Sequence, residues 1–445
     1  MASGLCVAVI GAGPSGLYAA EALARTGAAR VDVFDRLPTP YGLVRYGVAP
    51  DHERIKSITK TLARVFDNDA VRFIGNVELG RDVLLDDLRT RYDAVIHATG
   101  ASLDRRLGIA GEDLRGSFSA TEFVSWYSGH PDVPVNNFAL SATAAVVIGA
   151  GNVAIDVARI LLKRSDELAW TDLPEHVLKT LASSRIQDVY LLARRGPVHA
   201  KFTTKELREL GEISAADVLV RPADLELSER DQAAVAATPA LRRNIDVLTD
   251  WSTREPRDRD RRLHLRFWTR PERLVGASAV EAVETRRTKI VDGELRDSGE
   301  SETVSAELVL RSVGYLGKRT AGLPFDPASG TIPNDEGRVV DVDGTRVPGQ
   351  YVTGWIKRGP HGVIGTNRSD SQQTVASLLA DFAEQRANGR KLSGVDDLLA
   401  ARGLKAVSWA GWCKIDRAEE ALGAPEQRAR VKISDRGTML SHALS

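Results

Sequence analysis

The sequence predicts an α/β protein with two Rossmann-like dinucleotide-binding domains, because a strand–glycine turn–helix pattern occurs twice within 445 residues. In the first copy, the apolar residues 7–10 precede the turn Gly11–Gly16. In the second copy, the apolar residues 145–148 precede the turn Gly149–Ala154. A helix pattern follows each turn, as a nucleotide-binding βαβ unit requires.

The glycines of these turns have separate roles in binding a pyrophosphate. Gly11 allows the tight turn, Gly13 lets the backbone approach the ligand, and Gly16 lets the helix pack closely on the strand. The helix N-terminus then offers N–H donors to the phosphates. Ala154 replaces the third glycine of the second turn, which is a tolerated variant. The turn residues expected to contact nucleotides also include Ser15, Gly151, Asn152 and Val153.

The residues after the second strand of each copy distinguish the two ligands. Residues 31–34 are followed by Asp35, and a carboxylate there accepts hydrogen bonds from ribose hydroxyls and repels a 2′-phosphate. Residues 189–193 are followed by Arg194 and Arg195, which suit a 2′-phosphate. The first site therefore favours FAD and the second NADP, although Arg194 follows Ala154 at about twice the usual spacing.

A strand-then-glycine pattern at residues 93–100 and again at 308–315 suggests two crossings between domains. The NADP domain is then inserted into the FAD domain. The FAD domain is expected to comprise residues 1–104 and, with a C-terminal tail, residues 319–445, and the NADP domain residues 105–318. Helices are expected near residues 14–25, 52–66, 152–163, 173–181 and 366–386, and residues 215–310 are expected to be rich in strands.

Composition excludes several classes of protein. The formal net charge is zero, so the whole chain shows no bias toward nucleic acid or membranes. Only two cysteines are present, without a CxxC motif, so a metal site or a redox disulfide is not expected. No apolar run is long enough to span a bilayer. The first strand begins by Cys6, which leaves no room for a leader peptide, and the cytoplasm is the expected compartment.

Further motifs give the chain a specific resemblance. The loop 37–52, with the sequence LPTPYGLVRYGVAPDH, resembles the signature loop of the adrenodoxin reductase family, whose members are NADPH–ferredoxin reductases with FAD. Residues 151–159, 194–197, 202–210 and 355–366 resemble that family in the same order. Among its branches, the actinobacterial type is most similar. The late arginine pair is a feature of this family.

The resemblance implies roles for residues outside the glycine turns. It implies that Leu43, in the signature loop, lines the FAD site and that Val77 lies near the adenine. It implies a flavin-end contact for Trp355 and for Gly362, Val363 and Ile364. It also implies that Arg105 contacts NADP at the first crossing between domains.

Two residues, His52 and Glu209, match family positions near the reacting rings. Hydride transfer to flavin N5 needs positioning more than a side-chain acid, so His52 is assigned an orienting or proton-relay role. Its alternative is to cap the helix that follows. Glu206 matches an NADP contact, but Thr203 and Glu206 also have the spacing of a capping box. Both interpretations of each residue stay open.

Two positions depart from the family pattern, and one segment suggests a docking surface. Tyr41 stands where Trp is frequent, and His361 stands where a smaller residue is usual. Residues 253–273 hold eight arginines against four acids. With Lys201 and Lys205, this segment is a candidate surface for an acidic ferredoxin. The alternative is a solvated hairpin with alternating charges.

The resemblance implies that the protein is an enzyme. The enzyme would be a flavoprotein oxidoreductase that uses FAD in electron transfer. Such an enzyme is expected to transfer hydride from NADPH to FAD N5 and then single electrons to an acidic iron–sulfur ferredoxin. The alternatives are an NADPH–quinone or diaphorase-type reductase without a ferredoxin, and a non-catalytic NADPH-binding redox sensor. Neither nucleic acid nor a membrane is expected as a partner.

Overall fold

The chain forms two compact units in a computed structural model that describes residues 4–362, 364–385 and 394–445. Unit 1 comprises the chain up to Arg105 together with residues 314–445, and unit 2 comprises Arg106–Val313. The sequence places the boundaries after residues 104 and 318, whereas these units divide after Arg105 and Val313. Unit 1 is discontinuous along the chain, with unit 2 between its two segments.

The N-terminal segment of unit 1 has alternating strands and helices. Its strands are β1 (Leu5–Ile10), β2 (Ala29–Phe34), β3 (Val71–Ile74), β4 (Ala94–His97) and β5 (Leu103–Asp104). Its helices are α1 (Pro14–Ala24), α2 (Leu43–Tyr46), α3 (Glu53–Lys56), α4 (Ile58–Ala63) and α5 (Leu85–Arg89), with a 3₁₀ helix at Arg64–Asp67.

Unit 2 combines a parallel sheet with an antiparallel one. Its strands are β6 (Ser117–Ser119), β7 (Ala144–Ile148), β8 (Asp188–Leu192), β9 (Ala216–Val220), β10 (Arg261–Arg266), β11 (Thr269–Val275), β12 (Ala282–Val291), β13 (Glu294–Ser305) and β14 (Leu308–Arg311). Its helices are α6 (Ala120–Tyr127), α7 (Asn152–Leu162), α8 (Ser165–Leu168), α9 (Glu175–Ala182), α10 (Thr204–Gly211), α11 (Glu229–Ala237) and α12 (Pro239–Thr253), with 3₁₀ helices at Pro197–His199 and Pro222–Leu225.

The C-terminal segment of unit 1 returns to the first sheet and ends in helices. Its strands are β15 (Tyr315–Leu316), β16 (Asn334–Asp335), β17 (Arg338–Val340) and β18 (Arg346–Val352). Its helices are α13 (Trp355–Arg358), α14 (Ile364–Gln385), α15 (Asp396–Ala401), α16 (Trp409–Gly423) and α17 (Arg436–Ala443), with a 3₁₀ helix at Ala424–Glu426. No helix in the described ranges is long and apolar enough to cross a membrane.

The main sheet of unit 1 places the first nucleotide turn at its centre. Its order over the described residues is β16-β17-β18-β4-β1-β2-β3, and β1 pairs in parallel with both β2 and β4. Residues 7–10 are buried on both faces of the sheet, as expected for a strand covered by helices on each side. The turn after Ile10 therefore lies between the carboxyl ends of neighbouring strands.

The parallel sheet of unit 2 repeats this arrangement. Its order over the described residues is β6-β14-β7-β8-β10-β9, so β7 and β8 are parallel neighbours. Two helices, α8 and α9, lie between α7 and β8 along the chain. They account for the long interval before Arg194, because the chain forms both helices before it returns to the sheet.

Two expectations about secondary structure are wrong in part. Residues 229–253 belong to the stretch expected to be rich in strands but form α11 and α12. Good helix formers such as Ala, Arg and Gln dominate α11, and Pro239 begins α12 at its first position. The helix expected over 52–66 is instead α3, α4 and a 3₁₀ turn. Periodicity indicates the helical character of such a stretch, but not where its hydrogen bonding changes.

The C-terminal helices hold the signature loop through a buried ion pair. Glu419 of α16 is fully buried and binds the guanidinium of Arg45, which is itself 6% exposed. Arg45 Nη1 donates to Glu419 Oε2 at 3.0 Å, and the guanidinium lies 5.1 Å from the ring centre of Trp412. Lys432 Nζ donates to the backbone oxygen of Arg45 at 2.8 Å. Residues far apart in the sequence thus fix the position of α2.

We expect Glu419→Gln to lower the free energy of unfolding by about 3–5 kcal/mol, because it leaves the buried Arg45 cation without a compensating charge. The matched control is Glu420→Gln, since Glu420 is half exposed and its ion pair is with Arg430, at 3.4 Å. That control is expected to change stability by about 0–1 kcal/mol. Urea unfolding of both variants measures the difference, and equal losses would contradict the assignment.

Candidate functional site

In unit 1, the glycine turn and the strand-end acid are in direct contact. Asp35 Oδ2 accepts the N–H of Ala12 at 2.8 Å, and Oδ1 accepts the N–H of Leu37 at 2.9 Å. Burial raises the pKa of the Asp35 carboxyl, and these N–H donors and nearby arginines counteract the rise. Each carboxylate oxygen keeps a further lone pair that a ribose hydroxyl can use.

The glycines of this turn are required by close approaches of the backbone. Gly11 has φ +110°, and a Cβ there would lie 2.5 Å from the carbonyl oxygen of Ala98. A Cβ on Gly16 would overlap the carbonyl oxygen of Gly11. Gly13 differs, because a Cβ there would meet only Gly42, at 3.9 Å. The backbone is thus open at Gly13, where the sequence places the pyrophosphate.

The signature loop and Val77 lie against this turn. The N–H of Tyr41, a residue with φ +80°, donates to the oxygen of Ala12 at 2.8 Å. Leu43 begins α2 and is 40% exposed, which leaves an apolar side chain available to a ligand. Val77 is buried, and its N–H donates to the oxygen of Asp35 at 2.9 Å. The structure thus brings Leu43, predicted to line the FAD site, close to the turn that contacts Asp35, and joins Asp35 to Val77, the two residues predicted near the adenosine.

The segment predicted for the flavin end is joined to the same turn. Gly354 packs so closely on Ser15 that a Cβ would lie 2.7 Å from the Cβ of Ser15. The buried indole Nε1 of Trp355 has no hydrogen-bond partner within the described ranges. An unsatisfied buried N–H costs free energy, and a bound ligand with an acceptor would satisfy it.

The other residues predicted for the flavin end lie just before α14 and at its start. Gly362 is exposed with φ +84°, and Ile364 begins α14. Val363 lies outside the described residues. His361 is exposed, as the solvent-facing alternative supposes.

Sequence reasoning missed Asp370, which fixes the turn before Trp355. Asp370 Oδ2 accepts the N–H of Gly354 at 2.6 Å, and Oδ1 pairs with Lys357 Nζ at 2.8 Å. The next residue, Ser371, donates its hydroxyl hydrogen to the oxygen of Ser15 at 2.9 Å. Both residues lie within α14, where a polar helix face gives no sign of these partners.

In unit 2, the second glycine turn and the arginine pair are adjacent. The N–H of Gly149 donates to the oxygen of Leu192 at 2.9 Å, two residues before Arg194. Arg194 and Arg195 are both exposed, and neither guanidinium forms an ion pair within the described part of the chain. A Cβ on Gly151 would meet no atom within 4 Å. Free cations thus lie beside an open backbone turn, which is the arrangement a phosphorylated nucleotide requires.

The residues after the arginine pair pack onto the glycine turn. The N–H of Lys201 donates to the oxygen of Ala150 at 2.7 Å, and the N–H of Thr203 donates to Asn152 Oδ1 at 3.0 Å. Val153 is partly buried in the first turn of α7. The sequence suggests Lys201 for a docking surface, but its backbone lies beside the glycine turn predicted to bind the pyrophosphate.

Glu206 and Glu209 lie on α10 in different environments. Thr203 makes no side-chain capping bond, so the capping box expected as an alternative is not formed. Glu206 is buried, and its Oε2 has no hydrogen-bond partner among the residues described, which favours a ligand contact. Glu209 pairs with Arg159 at 3.9 Å and with Lys205 at 3.7 Å. These contacts are structural ones, so a direct part for Glu209 in the reaction stays a prediction.

The roles of His52 and Arg105 at the reacting rings and at the NADP site stay predictions. His52 is buried at the N-cap position of α3, but its side chain makes no capping hydrogen bond. The helix-cap alternative is therefore not supported. Arg105 is exposed at the end of the N-terminal segment of unit 1, where its N–H donates to the oxygen of Gly314 at 3.0 Å.

Most arginines of the 253–273 segment have partners within unit 2. Ion pairs join Arg254 to Asp250, Arg262 to Asp188, Arg270 to Asp297, and Arg273 to Glu284. Arg259 and Arg261 donate to backbone carbonyls, and Arg259 also pairs with Asp217 at 3.9 Å. The local excess of positive charge is thus largely compensated, which favours the alternative that these charges serve unit 2 itself.

The chain is similar over nearly its whole length to proteins of known name. NADPH-ferredoxin reductase FprA of Mycobacterium leprae is 45% identical over 451 residues, which cover 98% of this chain and 97% of that protein. The chain belongs to the adrenodoxin reductase family. NADPH:adrenodoxin oxidoreductase of Arabidopsis thaliana is 40% identical and covers 96% of this chain and 93% of its own length. The family model for pyridine nucleotide-disulphide oxidoreductases matches residues 6–211.

Solved structures support the fold prediction. The structure of Mycobacterium tuberculosis FprA in complex with NADPH matches with a TM-score of 0.93 and 44% identity, covering 99% of this chain and all of that one. The family assignment and the two Rossmann-like folds predicted from the sequence are therefore confirmed.

We expect Asp35→Asn to raise the dissociation constant for FAD about 10- to 100-fold, because a charged acceptor for the ribose is worth about 1.5–3 kcal/mol. Flavin fluorescence during reconstitution of the apoprotein measures this constant. The control is Asp32→Asn, on the strand β2 that precedes Asp35, which removes a carboxylate bound to Arg72 at 2.8 Å. An equal rise in both variants would contradict the role of Asp35.

Proposed function

We propose that this protein is an NADPH–ferredoxin oxidoreductase that uses FAD. The observation that carries the proposal is the contrast between the two nucleotide turns. One turn is bonded to a carboxylate, Asp35, and the other adjoins two guanidinium groups, Arg194 and Arg195, that are unpaired within the described residues. Family membership supports the same assignment, because its named members are NADPH–ferredoxin and NADPH–adrenodoxin reductases.

The residues of unit 1 fit FAD. The open backbone at Gly13 faces the site of the pyrophosphate, and the Asp35 carboxylate accepts hydrogen bonds from the ribose. Leu43 and Val77 cover apolar parts of the cofactor, and Trp355 offers its unsatisfied N–H. Bound FAD supplies a flavin ring that can accept a hydride from NADPH and release electrons one at a time.

The residues of unit 2 fit NADPH. Arg194 and Arg195 bind the 2′-phosphate, and the N–H groups of the turn at Gly151 and Asn152 bind the pyrophosphate. The unpaired Oε2 of Glu206 accepts a hydrogen bond from a nucleotide hydroxyl or amide. We assign Arg105 to the same ligand. These contacts bind and orient the nucleotide, which is the main contribution a protein makes to hydride transfer.

Two further assignments concern the nicotinamide end of the nucleotide and the protein that accepts the electrons. Buried His52 is proposed to orient the nicotinamide or relay a proton at its imidazole, and Glu209 to support that end through its contact with Arg159. The electron acceptor is proposed to be an acidic iron–sulfur ferredoxin. The cytoplasm remains the compartment expected from the sequence.

The test is reduction of cytochrome c by the purified holoenzyme with NADPH, measured with and without an added [2Fe–2S] or [4Fe–4S] ferredoxin. We expect the rate to rise at least about tenfold with the ferredoxin, because a flavin releases electrons one at a time and an iron–sulfur centre accepts single electrons. Rapid reduction without any dependence on ferredoxin would instead favour a diaphorase-type reductase. Absence of flavin bleaching by NADPH would favour the redox sensor.

A further inference from the structure

The arginine pair that recognises the 2′-phosphate is held by two residues far away in the sequence. Thr288 of β12 is 3% exposed, and its hydroxyl donates to the backbone oxygen of Arg194 at 2.7 Å. The N–H of Trp268 donates to the backbone oxygen of Arg195 at 3.3 Å. The two guanidinium groups have no partner of their own among the described residues. The hydrogen bonds to the backbone therefore determine the position from which each arginine side chain extends.

Trp268 adopts a conformation that is costly for an aromatic residue. It lies between β10 and β11 with φ +55°, in the left-handed region. Its ring covers Gly196 so closely that a Cβ on Gly196 would lie 2.6 Å from Cε2 of the indole. Backbone strain of this kind persists only where surrounding contacts enforce it, and it is frequent at ligand-binding sites.

Thr288 forms hydrogen bonds both with Trp268 and with the loop that carries Arg194. Its N–H donates to the backbone oxygen of Trp268 at 2.8 Å, while its hydroxyl holds Arg194. The pairing of β12 with β13 shifts register between Arg286 and Thr288. Such an irregularity turns a side chain away from the direction that a regular strand would give it. Thr288 therefore contacts both the strained tryptophan and the loop that carries the arginines.

We propose that Thr288, together with Trp268, positions Arg194 and Arg195 and thereby sets the preference for NADPH over NADH. This inference rests on the proposed function, since it concerns the same NADP site. Guanidinium groups recognise a phosphate through several directed hydrogen bonds, so a shifted backbone weakens that recognition. NADH lacks the 2′-phosphate and makes no contact that needs the arginine pair, so its binding through the turn Gly149–Asn152 and through Glu206 does not depend on the position of Arg194 and Arg195.

The test compares two isosteric substitutions on the same strand, Thr288→Val and Thr285→Val. Thr285 is also buried, and its hydroxyl donates to the oxygen of Glu302 at 2.9 Å, so both substitutions remove one hydroxyl-to-carbonyl bond. Steady-state kcat/KM is measured for NADPH and NADH with the holoenzyme and ferricyanide as the acceptor. The readout is the ratio of the two values, which a general loss of stability does not change.

For Thr288→Val, we expect the NADPH/NADH ratio to fall at least fivefold, through a higher KM for NADPH, with kcat/KM for NADH within twofold of wild type. Thr285→Val is expected to keep the ratio within twofold. Thr288→Ser, which retains the hydroxyl, is expected to keep it as well. In an Arg194→Ala/Arg195→Ala background, Thr288→Val is expected to have no further effect on the ratio.

Several results would overturn the inference. These are an unchanged ratio in Thr288→Val, an equal fall in Thr285→Val, or a fall in Thr288→Ser as large as that in Thr288→Val. If wild type prefers NADPH and reduces ferredoxin but Thr288→Val keeps its ratio, the positioning role alone fails. If wild type uses NADPH and NADH equally, the NADP assignment in the proposed function fails together with it.

Discussion

The structure depends on one constraint, which is that neighbouring parallel strands end at the same edge of a sheet. Because β1 and β2 end together, the N–H of Ala12 reaches the carboxylate of Asp35. Because β7 and β8 end together, the N–H of Gly149 reaches the oxygen of Leu192, and the arginine pair follows. The strand order thus pairs each glycine turn with a charge, and we propose that the sign of that charge selects the nucleotide.

Both sites also depend on polar contacts from distant regions of the chain. The buried Arg45–Glu419 pair holds the signature loop, and Asp370 holds the turn before Trp355. Thr288 likewise forms a hydrogen bond to the backbone oxygen of Arg194, in the loop after β8. In each case the contact ends on a loop rather than on a ligand. Loops that bind cofactors contain few backbone hydrogen bonds of their own, so such contacts keep them in one geometry.

The sequence could predict the features of the site that arise from local pattern. The glycine turns, Asp35 and the arginine pair follow strands at short spacings, and the structure contains those strands and turns. The charge of the 253–273 segment could not be judged in this way, because the partners of Arg262 and Arg270 are Asp188 and Asp297. Ion pairs of long sequence separation leave no trace in composition.

The same limit applies to residues that act through others. Thr288 and Glu419 are ordinary residues in a strand and a helix, and only the fold shows what they touch. Conversely, Thr203 makes no capping bond, so the structure does not support the capping box for Glu206, although this box and an NADP contact fit the sequence equally. Local propensity cannot decide between them, since the choice depends on whether the cap hydrogen bonds form.

The most direct test of the central claim is calorimetric binding of adenosine 2′,5′-bisphosphate and of 5′-AMP to the holoenzyme, which isolates the contribution of the 2′-phosphate. We expect the bisphosphate to bind about 100-fold more tightly, and Arg194→Ala/Arg195→Ala to remove most of that difference, because charged hydrogen bonds are worth about 1.5–3 kcal/mol each. Arg230→Ala, at an exposed position of α11, is the control and is expected to leave both constants unchanged. Equal affinities for the two nucleotides in the wild-type protein would contradict the assignment of NADP to the arginine-bearing turn.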